Sequence, residues 1–272
     1  MKPLIKRVTI TAAFAALSLI GFGAQAGPVD LSSWSALTVN YPGGQNAGNW
    51  NLSADNHSVE QTINADPSFY LNNLNQTQYT MQGSWRVDTN SDDDFMGFVF
   101  GYQNSSNFYM FDWKRGNQGY QGMTAIQGMS VKKYQGPTGN ALNDHSLGQF
   151  WENENSSSTA TSDMTVLAKN QGAGTGWNRF TNYDFFLNFN NTANSFNIIV
   201  KEGINELWNV TVADSTFTSG QFGFYNYSQS NVVYAGFEQE GGVIVTPVPE
   251  PGALAILSLG LMGLAIRRRF LH

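Results

Sequence analysis

The sequence predicts an all-β sandwich, and three observations carry that prediction. Apolar residues recur at period two along short segments. These segments follow one another at intervals of about 8–12 residues, punctuated by Gly and Asn. No stretch of the body shows the apolar spacing of an amphipathic helix.

Residues 79–88 place Tyr79, Met81, Trp85 and Val87 on one face and Thr80, Gln82, Ser84, Arg86 and Asp88 on the other, as in a half-buried antiparallel strand. Residues 95–102, FMGFVFGY, are apolar on both faces, which marks a strand packed on each side. Residues 107–113 follow the turn Asn104-Ser105-Ser106, so 95–113 reads as a β-hairpin. A later meander runs through 185–190, the turn Asn191–Asn194, 195–203, 206–212, 222–227 and 232–239. Residues 116–178, rich in Gly, Asn and Ser, read as long loops broken by short strands, and such loops commonly carry binding sites.

The two ends differ from the body. A basic head, MKPLIKR, precedes an apolar stretch and the small residues Ala24 and Ala26, the pattern of a secretory signal at 1–26 cut by signal peptidase after Ala26. Near the other end Pro249, Glu250 and Pro251 precede 15 apolar residues (252–266) and then Arg267, Arg268 and Arg269. As a helix that run spans roughly 22 Å at about 1.5 Å per residue, short of the ~30 Å hydrocarbon core. The arginines would hold its end on the cytoplasmic side. This order of Pro-Glu-Pro, short apolar helix and arginine cluster resembles the PEP-CTERM sorting signal of Gram-negative bacteria. The resemblance implies recognition by an exosortase at the membrane, beside exopolysaccharide synthesis, and a transient anchor before the protein reaches the cell surface. The expected organisation is therefore a signal at 1–26, one sandwich at 27–243, and a sorting and membrane tail at 244–272.

The chain has no cysteine, which excludes disulfides and thiol chemistry. Of 14 Lys and Arg and 20 Asp and Glu, three basic residues fall in the head, and three basic and one acidic in the tail. The body keeps 8 against 19, a net charge of −11. Such a surface is a poor partner for nucleic acid and suits cations or neutral glycans better.

The most pointed local feature is Asp92, Asp93 and Asp94, directly before the doubly apolar strand. Along a strand, neighbouring side chains point to opposite faces; in a loop, three carboxylates can close around a hard cation such as calcium, which takes six to eight oxygens. The same run reads equally as a solvated acidic turn. Asp112, on the next strand, alternates with Tyr109, Phe111 and Trp113 and is either a further ligand or an outward residue. Asp66, before Pro67, reads as a turn residue.

Five stretches together, 59–67, 92–115, 176–187, 198–203 and 220–237, resemble the C-terminal domain of thrombospondins, in order and across about 59–240. The block DDDFMGFVFGYQNSSNFYMFDWKR is the most specific. The resemblance implies a jelly-roll, concanavalin-like β-sandwich that binds calcium, with Asp92, Asp93 and Asp94 at the matching positions. Thrombospondins have no acid at Asp112. The chain departs from the family in lacking the calcium-rich repeats, and between 116 and 170 it matches poorly outside 129–140.

Catalytic equipment is sparse. His57 and His145 stand in dissimilar contexts, which argues against zinc, and no G-x-S-x-G elbow occurs. Glu152 and Glu154 are spaced for one face but sit in an Asn/Ser-rich loop. Trp151, Trp177 and Tyr120 lie in the loop-rich half and are candidates for stacking against sugar rings. The expectation is a secreted calcium-binding adhesion or matrix protein without catalysis, with exopolysaccharide or surface glycans as partners. A lectin-like glycan module is the first alternative and a polysaccharide-cleaving enzyme the second.

Overall fold

A computed structural model describes residues 28–38, 41–136, 144–154 and 163–244. The signal and sorting segments, with Ala24, Ala26, Pro249, Glu250, Pro251 and Arg267–Arg269, lie outside the described residues, as does the short apolar helix. Among the described residues no helix is long and apolar enough to cross a membrane.

The described strands are β1 (35–38), β2 (50–52), β3 (58–61), β4 (68–71), β5 (76–87), β6 (95–104), β7 (107–114), β8 (118–120), β9 (123–125), β10 (128–135), β11 (164–171), β12 (183–190), β13 (195–202), β14 (205–212), β15 (221–227) and β16 (232–244). Among the described residues one α-helix forms, the five-residue α1 (147–151) between β10 and β11. Two seven-stranded sheets face each other, the first in order β1-β4-β15-β6-β7-β10-β11 and the second β14-β13-β12-β5-β16-β3-β2. All strand pairs in both are antiparallel. The expected antiparallel sandwich is what the chain forms, and the hairpin at 95–113 closes as β6–β7 through Ser105 and Ser106.

The core between the sheets is aromatic, as a chain without disulfides requires. Phe98 meets Phe100, Phe111, Phe185, Phe222 and Trp85 with ring centroids 4.9–6.0 Å apart. Rings at such separations add attraction beyond their buried area. Strands of the second sheet alternate, as in β12, where Tyr183, Phe185, Leu187 and Phe189 are buried and the residues between them are not.

The first sheet is different because its outer face is covered too. Phe95, Val99, Phe108, Met110, Tyr134, Tyr225 and Tyr227 point away from the sandwich core and pack under Leu147, Phe150 and Trp151 of α1. This is why β6 is apolar on both faces. It also corrects the reading of 116–178 as mainly loop: β10 and β11 are full eight-residue strands that extend the sheet, and α1 and β8–β9 form a lid over it. α1 is held by a capping box in which the Ser146 hydroxyl accepts from Gln149 N and Gln149 Oε1 accepts from Ser146 N.

Candidate functional site

Asp92, Asp93 and Asp94 end the connection from β5 to β6. Asp92 has φ +70°, in the left-handed region that aspartate tolerates better than most residues. That turn breaks the alternation a strand would impose, so one ligand atom from each of the three carboxylates lies within 4.8 Å of the others.

The carboxylates are held by different partners. Lys114, on β7 beside the start of β6, is fully buried, and its Nζ donates to Asp94 Oδ1 at 2.6 Å, Asp93 Oδ1 at 3.1 Å, Asp93 O at 3.0 Å and Gln118 Oε1 at 3.0 Å. Asn64 Nδ2 donates to Asp92 Oδ2. Main-chain oxygens of the loop accept from Arg179 (2.7 Å, at Asp92) and from the Trp177 indole (3.1 Å, at Asp94). Burial pushes the Asp94 carboxyl up to about 7: the Lys114 ammonium pulls it down, while the Asp92 carboxyl beside it pushes it up. Three carboxylates against one lysine leave negative charge on the outer side of the loop, where Asp92 and Asp93 are partly exposed.

The donor set fits calcium. All its groups are hard oxygens, as calcium prefers, and the chain passes close by at Gly116, where a Cβ would stand 2.5 Å from Asp93 Oδ2. Lys114 touches Asp93 and Asp94 through Oδ1, so their Oδ2 atoms would be offered to an ion, while Asp92 would share oxygens that already accept from Asn64 Nδ2 and Asp93 N.

Asp112 lies apart from this group. It is fully buried on the outer face of the first sheet, with Lys132 Nζ 2.7 Å from its Oδ2 and the Ser130 hydroxyl donating to Oδ1. Burial raises its carboxyl pKa against the pull of Lys132 and lowers that of the Lys132 amine against the pull of Asp112. Asp112 is thus neither outward nor beside the three aspartates.

Of the aromatic candidates, Trp177 is fully buried in the sandwich core, with no face to offer a ligand. Trp151 is 3% exposed and donates its indole N–H to Gln118 O at 3.1 Å, while Tyr120 is 37% exposed and packs on it at 5.1 Å. Glu152 is the buried C-cap of α1, whereas Glu154 pairs with Lys169 at 2.8 Å near the surface. The histidines are separate: His57 is exposed at the β2–β3 turn, and His145 is buried with Nε2 2.8 Å from Ser106 O.

Sequence reasoning missed two participants. Lys114 reads as the polar end of a strand, yet its ammonium pairs with Asp93 and Asp94. Asp66 reads as a turn residue but is 1% exposed, and it lines a cavity with Asp94, Tyr120 and Trp151. Its position before Pro67, at the start of a wholly buried strand, was the available signal.

Residues 247–269 match the PEP-CTERM protein-sorting motif. Thrombospondin-4 of Bos taurus is 27% identical over 196 residues, 70% of this chain and 20% of the relative. Thrombospondin-2 of Bos taurus is 28% identical over 198 residues, 71% of this chain and 16% of that protein. The chain thus spans a fifth or less of the length of these relatives. Among solved structures, a carbohydrate binding module from Bacillus subtilis superposes with TM-score 0.48 at 14% identity, covering 77% of this chain and 96% of that one. A Bacillus subtilis protein with a galectin-like fold superposes with TM-score 0.47 at 9% identity, covering 82% of this chain and 97% of that one. The thrombospondin C-terminal region matches residues 45–241, most of the chain, and the protein belongs to that family.

Proposed function

We propose that this is an exported, surface-sorted protein that binds calcium through Asp92, Asp93 and Asp94 and mediates adhesion or matrix contact without catalysis. The observation that supports it best is the convergence of three carboxylates within 4.8 Å through the left-handed Asp92. The sorting motif at 247–269 adds passage through an exosortase to the surface of a Gram-negative cell, in an exopolysaccharide or biofilm setting. Bound calcium would supply charge neutralisation and tie the β5–β6 connection to the Asp93–Gly116 contact. Lys114 keeps Asp94 in place on the inner side whether or not an ion is present.

The test is a pair of thermal melts, in EDTA and in millimolar calcium, on the wild type and on Asp92→Asn with Asp93→Asn. These substitutions spare Asp94, whose removal would leave the buried Lys114 without its shortest ion pair. An ion at 100 times its Kd that binds only the folded state adds about 2.7 kcal/mol, a rise of roughly 5–10 °C for a domain this size. A wild type indifferent to calcium ends the proposal.

A second reading, capture of a glycan, draws on the aromatic-lined cavity beside Asp94.

A further inference from the structure

The covered face of the first sheet holds a buried trio that neither the calcium site nor the glycan reading uses. Asp112 of β7 stands opposite Ser130 of β10 and one diagonal step from Lys132. All three are at 0% exposure.

Lys132 Nζ lies 2.7 Å from Asp112 Oδ2. The contact lacks the direction of a hydrogen bond, and Oδ2 accepts none. The amine instead donates to Phe150 O at 3.0 Å, while the Ser130 hydroxyl donates to Asp112 Oδ1. Glu152, 2% exposed at the end of α1, is close enough for its charge to act on Lys132. The Phe95 ring centre, 5.2 Å from Nζ, adds an apolar wall.

A charged pair is costly at such depth. Burial raises the Asp112 carboxyl pKa and lowers that of the Lys132 amine, so each group is drawn toward its neutral form. Moving one proton from Nζ to Oδ2 makes an acid and a free amine without changing the net charge. The amine then has a lone pair to offer the carboxyl beside it. Held together in one fold, the two groups react as parts of a single molecule, which lowers the barrier to joining them.

We propose that Asp112 and Lys132 condense into an amide that joins β7 to β10, assisted by Ser130 and Glu152. Nζ attacks Cγ, and the negative charge that develops on Oδ1 is met by the Ser130 hydroxyl. Glu152 takes the proton released by the nitrogen and passes it to Oδ2. The Cγ–Oδ2 bond breaks, and Oδ2 leaves with two hydrogens as water. One C–N bond replaces one C–O bond, so the step needs no oxidant, reductant or activated donor.

The bond can only follow folding, because the sheet is what brings the two side chains together. The newly folded chain thus holds the free pair, with the stability and amine reactivity of a free pair, and the matured chain holds the amide. The amide closes a loop that contains β8 and β9 and so ties part of the lid to the sheet. A chain without cysteine gains by it the covalent tie that disulfides give many exported proteins.

Tryptic mapping of the purified full chain tests this, directly after refolding and again after prolonged incubation at neutral pH. A branched peptide should grow in, joining the segment of Asp112 to that of Lys132. It should be one water lighter than the two segments together and uncut at Lys132, with fragmentation placing the link. Linear peptides alone after prolonged incubation, or a link between other residues, overturn the proposal. Lys132→Arg keeps the charge and should give no branched peptide; a branch that persists there overturns it as well. Glu152→Gln and Ser130→Ala should each slow the growth about a hundredfold, and wild-type rates in both overturn the mechanism. The wild-type map decides the central point alone if a variant fails to fold.

Discussion

The two faces of the first sheet are both buried, but they are built differently. The inner face is filled mainly by rings: Phe98, Phe100, Tyr109, Phe111, Trp113, Phe222 and Phe224. The outer face mixes rings with Asp112, Lys114, Lys132 and Ser130, all at 0% exposure. The polar groups there reach into the lid: Lys132 Nζ donates to Phe150 O at 3.0 Å, the Tyr134 hydroxyl to Gln149 O at 3.1 Å, and Lys114 Nζ to Gln118 Oε1. Rings attract without fixing one register, whereas directed hydrogen bonds in a dry interface tolerate few alternatives. The inner face supplies cohesion, and the outer face fixes where the lid sits and so shapes the cavity at its edge.

The largest way to test this contrast is Phe98→Ala on the inner face. It empties a site surrounded by five rings and should cost about 3–5 kcal/mol in urea unfolding. On the outer face, Asp112→Ala leaves Lys132 charged and buried, at a cost of about 3–5 kcal/mol. Here a second change should restore what was lost: Asp112→Leu with Lys132→Met is expected near wild-type stability, with altered protease sensitivity confined to the lid. A double variant no better than the single one would mean that the pair does not set this cost. Ser146→Ala, which removes the cap of α1, should lower stability by about 1 kcal/mol.

The smallest effect is a pH dependence at Asp214, which joins the sheets' margin by accepting from Lys133 and the Tyr109 hydroxyl. Burial raises its carboxyl pKa, but these donors and Thr216 outweigh it and hold it at about 2. The folded value lies below the ordinary carboxylate value of about 3.9. Its contribution is therefore present above about pH 4 and lost as pH falls toward 2. Urea midpoints measured from pH 6 to pH 2 should fall less steeply in this window for Asp214→Asn than for wild type.

Most of the sandwich was legible in the sequence because its code is local. β5, β12 and β13 alternate, with one face on the core, and β6 announces cover on both sides by being apolar throughout. β10 was obscured because Lys132 holds a buried position, and the partner that makes this tolerable, Asp112, lies on another strand. α1 was obscured by its length, since five buried residues show no helical period. At the site, the aspartate run is visible as a run, and its convergence depends on one positive φ at Asp92. Lys114 and Asp66 gain their meaning only from segments far along the chain, which no spacing rule reports.

The two buried lysines have a use beyond architecture. Lys114 and Lys132 have side chains at 0% exposure under a lid that carries few residues of its own. An amine-reactive reagent reaches them only when that lid lifts, whereas Lys169 and Lys201 on the surface react freely. The chain thus carries its own chemical clock: the labelling rate of the hidden pair, measured against the open pair, counts how often the covered face meets solvent.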